Sequence, residues 1–553
     1  MTSLALLPLA GPAVAWAGRL PSARHVQALK VDARAPGVAL DHFWSRVVGA
    51  GRANEALRAT WQEALRIAVD QAGFQYVRFH GIFHDDMFVY REEPDGTPVY
   101  SFQYIDDVFD RLLAQGVRPF VELGFSPSEM ATVKGTIFWW KANGSPPKDL
   151  GKWTGLVNAF VEHCIERYGI DEVRQWYFEV WNEPNLSKPF FREGTQQQYF
   201  ELYRATALTL KRIDPRLRVG GPATSNFTID NEALARLRRS GKPFDPLSVP
   251  WRPVWVQDFL DYCQQHQLAV DFVSTHPYPT DFALEQVGEL AAQQLRRSAD
   301  ATRDDLRTIR ALVDRSAYPH AEIQLTEWST STAILDHSHD SLAAAAAILR
   351  SNLDSIGLVD SLSYWVFTDL FEEYRKQDSI FHGGFGLINY QQIVKPAFHA
   401  YRFMHLLGDE VLGREEGAIV TRHSANGAIT ALFYNYPPEM DVALPISRTL
   451  AAADAVDAAG SSRLFSLQLE GLPPGAVFEL ETLDRQHGNA VFAWQQMGMP
   501  EPPTREQTAL LRQAAWATAK DKLAANASGR LDWKSVLPAW TVVCICQLAQ
   551  GES

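Results

Sequence analysis

Apolar residues along this chain fall into short runs that alternate between two periods. From residue 55 to 71, Leu57, Trp61, Ala64, Leu65, Ala68 and Val69 recur at helical spacing, and Gly73 supplies a stop. The next run, Phe74 to His80, is compact, aromatic and β-branched, the composition of a strand. The exchange then repeats. Helical spacing predicts helices over 105–115, 154–168, 196–213, 254–266, 295–314 and 342–356. Strand-like runs occupy 43–49, 117–123, 176–182, 217–220, 270–275, 322–326 and 361–367. Most of these strands are apolar throughout, as expected where both faces of a sheet are covered.

About eight such units between residues 40 and 370 argue for an α/β fold, a (β/α)₈ TIM barrel, over an open doubly wound sheet. No Gly-rich phosphate or dinucleotide fingerprint follows any strand. Beyond residue 408 the pattern changes to strand-like runs punctuated by Gly, Pro and Asn, at 418–422, 428–434, 466–470, 478–482 and 541–547. One helical insert is expected over 505–523. The expected organisation is an extension over 1–24, a strand within 25–36 that joins the sandwich, a barrel over 37–408 and an accessory β-sandwich over 409–553.

Composition narrows the partners. The 553 residues are 46% hydrophobic and 21% charged, so the chain can bury a large core. A net charge of −13 argues against nucleic acid or an anionic membrane as partner. The four cysteines, Cys164, Cys263, Cys544 and Cys546, have no zinc spacing and make no disulfide framework. No metal and no cofactor is expected. Residues 4–17 are apolar, and Ala15-Trp16-Ala17 resembles a cleavage site, but Pro8 and Pro12 interrupt the run and no Lys or Arg precedes it. Export to the periplasm or medium and retention in the cytoplasm both stay open. So does a homo-oligomer.

The rim of such a barrel, at the C-terminal strand ends, is where chemistry is expected. Read in order, those ends carry Arg78 and His80, Glu122, Asn182 and Glu183, His276 and Tyr278, Glu327, then Trp365 and Glu373. Alternation along the fourth strand puts Glu179, Trp181 and Glu183 on one face. Asn182-Glu183-Pro184 alone reads more readily as structural. Glu327 on the seventh strand, across the mouth, changes that, because paired carboxylates are what glycosidic cleavage needs. Glu179 and Glu122 are read as buried structural carboxylates. Two loop clusters, His84-Asp85-Asp86 and His337-Ser338-His339-Asp340, lack metal-ligand spacing and are read as loop hydrogen bonding. Trp139-Trp140 fits a substrate platform or plain loop packing equally well.

Several segments resemble glycoside hydrolase family 39 of clan A, which includes β-xylosidases and α-L-iduronidases. They are residues 176–185, 322–328, 76–83, 275–278, 364–369 with Glu373, 381–386 and 484–490. The resemblance implies that Glu183 is the general acid/base and Glu327 the nucleophile of a retaining double displacement. It also implies that His80, Asn182, His276, Tyr278, Trp365 and Glu373 contact substrate. A β-xylosidase acting on xylo-oligosaccharides is the leading expectation. An iduronidase, arabinosidase or β-galactosidase specificity is the alternative, and a catalytically silent carbohydrate-binding protein a remote one. Arg78 is expected to support Glu327, and Arg78→Ala to lower turnover far more than folding stability.

Overall fold

The computed structural model describes residues 26–245, 247, 249–279, 297–373 and 378–549. The N-terminal extension, His25 and the expected helix start at 295–296 lie outside them. Two strands lead the chain, β1 (Val26–Asp32) and β2 (Val38–Ala39). The barrel strands follow: β3 (Val47–Arg52), β4 (Tyr76–His80), β5 (Arg118–Leu123), β6 (Tyr177–Val180), β7 (Arg218–Ser225), β8 (Phe272–His276), β9 (Glu322–Trp328) and β10 (Ser361–Tyr364). Each pairs in parallel with the next, and β10 returns to β3, so the sheet closes.

The main crossover helices are α1 (Ala59–Ala72), α2 (Gln103–Ala114), α3 (Leu150–Tyr168), α4 (Gln196–Ile213), α5 (Val256–Gln265), α6 (Ala301–Arg315), α7 (Leu342–Leu353) and α8 (Pro396–His405). Their ends follow local chemistry. Gly73 closes α1 at φ 71°, in the left-handed region that a glycine enters without a Cβ penalty. Thr195 and Gln198 form a capping box at the start of α4. Among the described residues, no helix is long and apolar enough to cross a membrane.

Inside the barrel, the lower end is packed solid. Val47, Tyr76, Phe120, Tyr177 and Phe272 form a separate buried cluster. Phe120 stacks on Tyr177 at 4.8 Å, and Phe272 meets Phe120 edge-on at 5.4 Å. Polar residues of the same strands lie above this aromatic floor, because side chains on one face recur every second residue. Tyr76 is followed by Arg78 and His80, Phe120 by Glu122, and Tyr177 by Glu179.

Past the barrel come β11 (Glu410–Glu415), β12 (Ala418–Arg422), β13 (Ile429–Tyr434), α9 (Leu450–Asp457), β14 (Arg463–Glu470), β15 (Val477–Leu483), α10 (Ala490–Gln496), α11 (Arg505–Trp516), β16 (Ala519–Ala524), β17 (Leu531–Leu537) and β18 (Val542–Gln547). A seven-stranded sheet runs β2-β11-β12-β13-β18-β15-β16, and a three-stranded sheet runs β1-β14-β17. Leu29, Val31, Phe433, Phe465, Leu467 and Ile545 belong to the core between them.

Two details differ from expectation. The helical insert ends at Trp516, and residues up to 524 form β16 instead. There Lys520 and Lys522 alternate with smaller side chains, and Lys520 reaches Glu479 on the neighbouring β15 at 2.9 Å. Val38–Ala39 pairs with β11 rather than with the barrel, so the chain crosses between the two units after Ala39.

Candidate active site

The open end of the barrel gathers its polar side chains around one guanidinium. Arg78 on β4 is fully buried. It donates from Nε to Glu179 Oε2 at 2.6 Å, from Nη1 to Glu327 Oε1 at 2.8 Å and from Nη2 to Asn182 Oδ1 at 2.9 Å. Nη2 also lies 2.9 Å from Glu122 Oε2. Strands β4, β5, β6 and β9 thus meet on a single side chain. Burial works against its charge, but Glu179, Glu122 and Glu327 outweigh burial and hold the guanidinium above its ordinary range.

Glu183 and Glu327 face each other across this centre. His276 bridges them: its Nδ1 is 2.9 Å from Glu183 Oε1 and 3.5 Å from Glu327 Oε2. One oxygen of each carboxyl group and a His276 nitrogen all lie within 4.8 Å of one another. The hydroxyl of Tyr278 donates to Glu327 Oε2 at 3.1 Å. Glu327 therefore receives donors on both oxygens, from Arg78 and from Tyr278. Glu183 has no such cation against it. Burial pushes its carboxyl up to about 7, and a Ser225 side-chain hydrogen bond and the more distant Arg78 charge only partly oppose that. Burial also pushes His80 and His276 down to about 4, so both rings are neutral near pH 7. In donor type, Glu183, His276 and Glu327 could ligate a cation. Arg78 already supplies a positive charge at Glu327, and His276 Nδ1 is engaged with Glu183.

The remaining expected residues fall into the same cleft. His80 Nε2 lies 3.5 Å from Glu327 Oε1 and 3.8 Å from Glu373 Oε1. Trp365 packs against His80, with ring centroids 4.7 Å apart. That placement needs Gly49, since a Cβ there would come within 2.5 Å of the indole. Burial first, then the Glu327 charge, raises the Glu373 carboxyl well above the usual range, and its buried Oε1 has no hydrogen-bond partner.

Simple alternation does not explain how Glu183 and Glu327 arrive. β6 ends at Val180, and Trp181 turns at φ 71°, so its indole leaves the cleft and donates to the Phe190 carbonyl at 2.7 Å. Glu179, Trp181 and Glu183 do not share a face, contrary to the pleat argument. Glu183 itself sits at φ 45°. The loop is tied down by Asn185, which exchanges two hydrogen bonds with the Ser225 backbone at 2.8 and 3.0 Å. On β9, alternation would place Glu327 with Ile323 and Leu325, facing the helices. The register shifts between Leu325 and Trp328, and such an irregularity re-aims side chains. Thr326 and Glu327 then both point inward, Thr326 donating to Glu179 at 2.7 Å.

Other residues sort by their partners. His84 Nδ1 meets Asp86 Oδ1 at 2.7 Å, and Asp86 pairs with Arg52. Asp340 is braced by Lys395 at 2.7 Å, and Lys395 also holds Asp369 at 2.6 Å, all three buried. Trp139 is 73% exposed, whereas Trp140 is buried and stacks on Phe138 at 5.6 Å. Phe138 also stacks parallel to His80 at 6.4 Å. Reading strand ends overlooked Phe138, because it lies in a long loop with no periodic signal.

Comparisons with known proteins agree on one family. A family model described as Glycosyl hydrolases family 39 matches residues 27–532. A β-xylosidase of Geobacillus stearothermophilus is 38% identical over 475 residues, covering 85% of this chain and 86% of the relative. A β-xylosidase of Caldicellulosiruptor saccharolyticus is 36% identical, covering 85% and 87%. The crystal structure of a monomeric β-xylosidase from Caulobacter crescentus CB15 superposes with a TM-score of 0.80 at 33% identity, covering 94% of this chain and 99% of that one.

The geometry revises one expectation. Removing Arg78 leaves Glu179 and Glu327 buried without their cation, so the fold suffers as well as the site. Arg78→Ala is expected to lose roughly 3–5 kcal/mol in urea unfolding. A loss below about 1 kcal/mol, the size of a surface pair, would contradict the assignment.

Proposed function

The chain belongs to glycoside hydrolase family 39, and from that premise we infer that it is a retaining, exo-acting β-xylosidase releasing xylose from xylo-oligosaccharide ends. The observation that carries the mechanism is the pairing of Glu183 and Glu327 across the rim, with one oxygen of each within 4.8 Å of the other. Retaining glycosidases hold their carboxyl groups at such short separations, roughly 5–5.5 Å, and inverting ones leave more room for water.

The two carboxyls are differentiated by what surrounds them. Glu327, between Arg78 and Tyr278, is the nucleophile. Its oxygen forms a bond to the anomeric carbon as the bond to the leaving oxygen breaks. Glu183 gives its proton to that oxygen in the same step. Water then displaces Glu327 from the anomeric carbon, and the Glu183 carboxylate takes the water's proton, which restores both groups and the original configuration. Asn182, held by Arg78, is in place for a sugar hydroxyl. His80, His276, Tyr278, Trp365 and Glu373 line the sugar's seat.

Xylose is favoured by the relatives' names and by the charges. A uronic acid needs a cation aimed at its carboxylate. Arg78, the cation beside the pair, has its donors committed to Glu179, Glu327, Asn182 and Glu122. Glu373 offers a carboxyl group, which suits a neutral hydroxyl.

A panel of aryl glycosides tests the sugar, with the β-xyloside expected to be the preferred substrate. If no pentoside is cleaved, the xylosidase reading fails. Glu327→Ala should lower turnover by roughly 10⁴-fold or more. Glu183→Ala should lower it by about 10²–10⁴-fold for poor leaving groups, far less for activated ones, and azide should then yield the glycosyl azide with retained configuration. Glu183 acts as an acid only while protonated. For a xyloside with a poor leaving group, kcat/KM should therefore fall as pH rises through about 7. An alkaline limb that stays in place in Glu183→Gln would show that Glu183 is not the acid.

A further inference from the structure

We propose that Glu122 is a neutral carboxylic acid whose O–H is donated to His80 Nδ1, fixing His80 in the tautomer that turns Nε2–H into the cleft. Both side chains are buried, and Glu122 Oε2 lies 2.6 Å from His80 Nδ1. The position of the shared proton follows from what surrounds the pair. His80 Nε2 faces Glu327 Oε1 at 3.5 Å, an acceptor, so the ring proton belongs on Nε2. A neutral ring protonated there can only accept at Nδ1, and Glu122 must then be the donor.

The environment of Glu122 points the same way. Its Oε1 is buried with no hydrogen-bond partner. A bare oxygen costs far more on a buried carboxylate than on a neutral acid. Glu122 meets Arg78 and His80 from β4, is paired in register with Glu179 on β6, and feels the Glu183 and Glu373 carboxyls, while Glu327 of β9 lies on the other side of Arg78. Ionised Glu122, Glu179 and Glu327 would set three negative charges around one guanidinium. A neutral Glu122 leaves Arg78 to Glu179 and Glu327, while its Oε2 still lies 2.9 Å from Arg78 Nη2. Burial pushes Glu122 up to about 7 and His80 down to about 4, consistent with a proton on oxygen rather than on both ring nitrogens.

Glu122 is thus a positioning residue. It touches no substrate, but it decides whether His80 offers a donor or a lone pair to a sugar hydroxyl. That consequence rests on the glycosidase reading; the proton assignment does not. The first test therefore needs no substrate. In the full-length protein labelled with ¹⁵N at the histidine rings, near pH 6, the His80 signals are identified by their loss in His80→Asn. They are expected to show a protonated Nε2 and a bare Nδ1. A proton on Nδ1, or on both nitrogens, overturns the proposal.

The second test compares two variants on an activated aryl xyloside. Glu122→Gln keeps a neutral donor, whereas Glu122→Met removes it. The Gln variant should lose less than about 10-fold in kcat/KM and the Met variant on the order of 100-fold. Equal losses in variants of matching thermal stability also overturn it. If the wild type cleaves no glycoside, the functional reading falls, and the ring-nitrogen signals still decide the proton.

Discussion

A single buried positive charge sets the terms for the whole catalytic end of this barrel. Arg78 lies among Glu122, Glu179 and Glu327, and a carboxylate buried without a partner would be strongly destabilising. The guanidinium fork suits this task in a way an ammonium does not, since its planar donors reach several acceptors from fixed directions. Here those carboxyl groups come from three other strands, so the guanidinium beside Glu327 also ties four strands together. Arg78 therefore bears on the fold as well as on the proposed chemistry.

The same centre produces asymmetry between two chemically identical side chains. Glu327 has a cation on one oxygen and a phenol on the other. Glu183 is as buried but has no guanidinium against it, and its charged form is disfavoured. Two neutral imidazoles sit between and beside them. On the proposed mechanism, acid and nucleophile are thus distinguished by neighbours about 3 Å away, Arg78 and His276 on strands and Tyr278 just past the end of β8.

Much of this was legible along the chain. The exchange of helical and strand-like periods gave the barrel, and the loss of helical period past residue 408 gave the sandwich. Strand ends gave the residues that now line the cleft, because a strand end is a position that hydrophobic patterning marks. What stayed hidden was orientation. Strict alternation would have turned Glu327 toward the helices, and only the irregularity before Trp328 points it inward. Trp181 looked like a neighbour of Glu183 until its backbone left the β region. Phe138 and the Val38–Ala39 pairing carry no periodic signal at all. The β16 segment reads as helix because Ala, Lys and Leu favour that state, and its pairing with β15 overrides the local preference.

The aromatic floor of the barrel governs traffic. Tyr76, Phe120, Tyr177 and Phe272 fill the lower end, so the cleft is reached from the rim and not through the barrel floor. On the double-displacement course, the water that completes a turnover must enter by the route the departing sugar has just vacated. The sequence of events is therefore built into the architecture: while the first product occupies the passage, hydrolysis waits, and any acceptor that lingers there is as well placed as water to receive the glycosyl group.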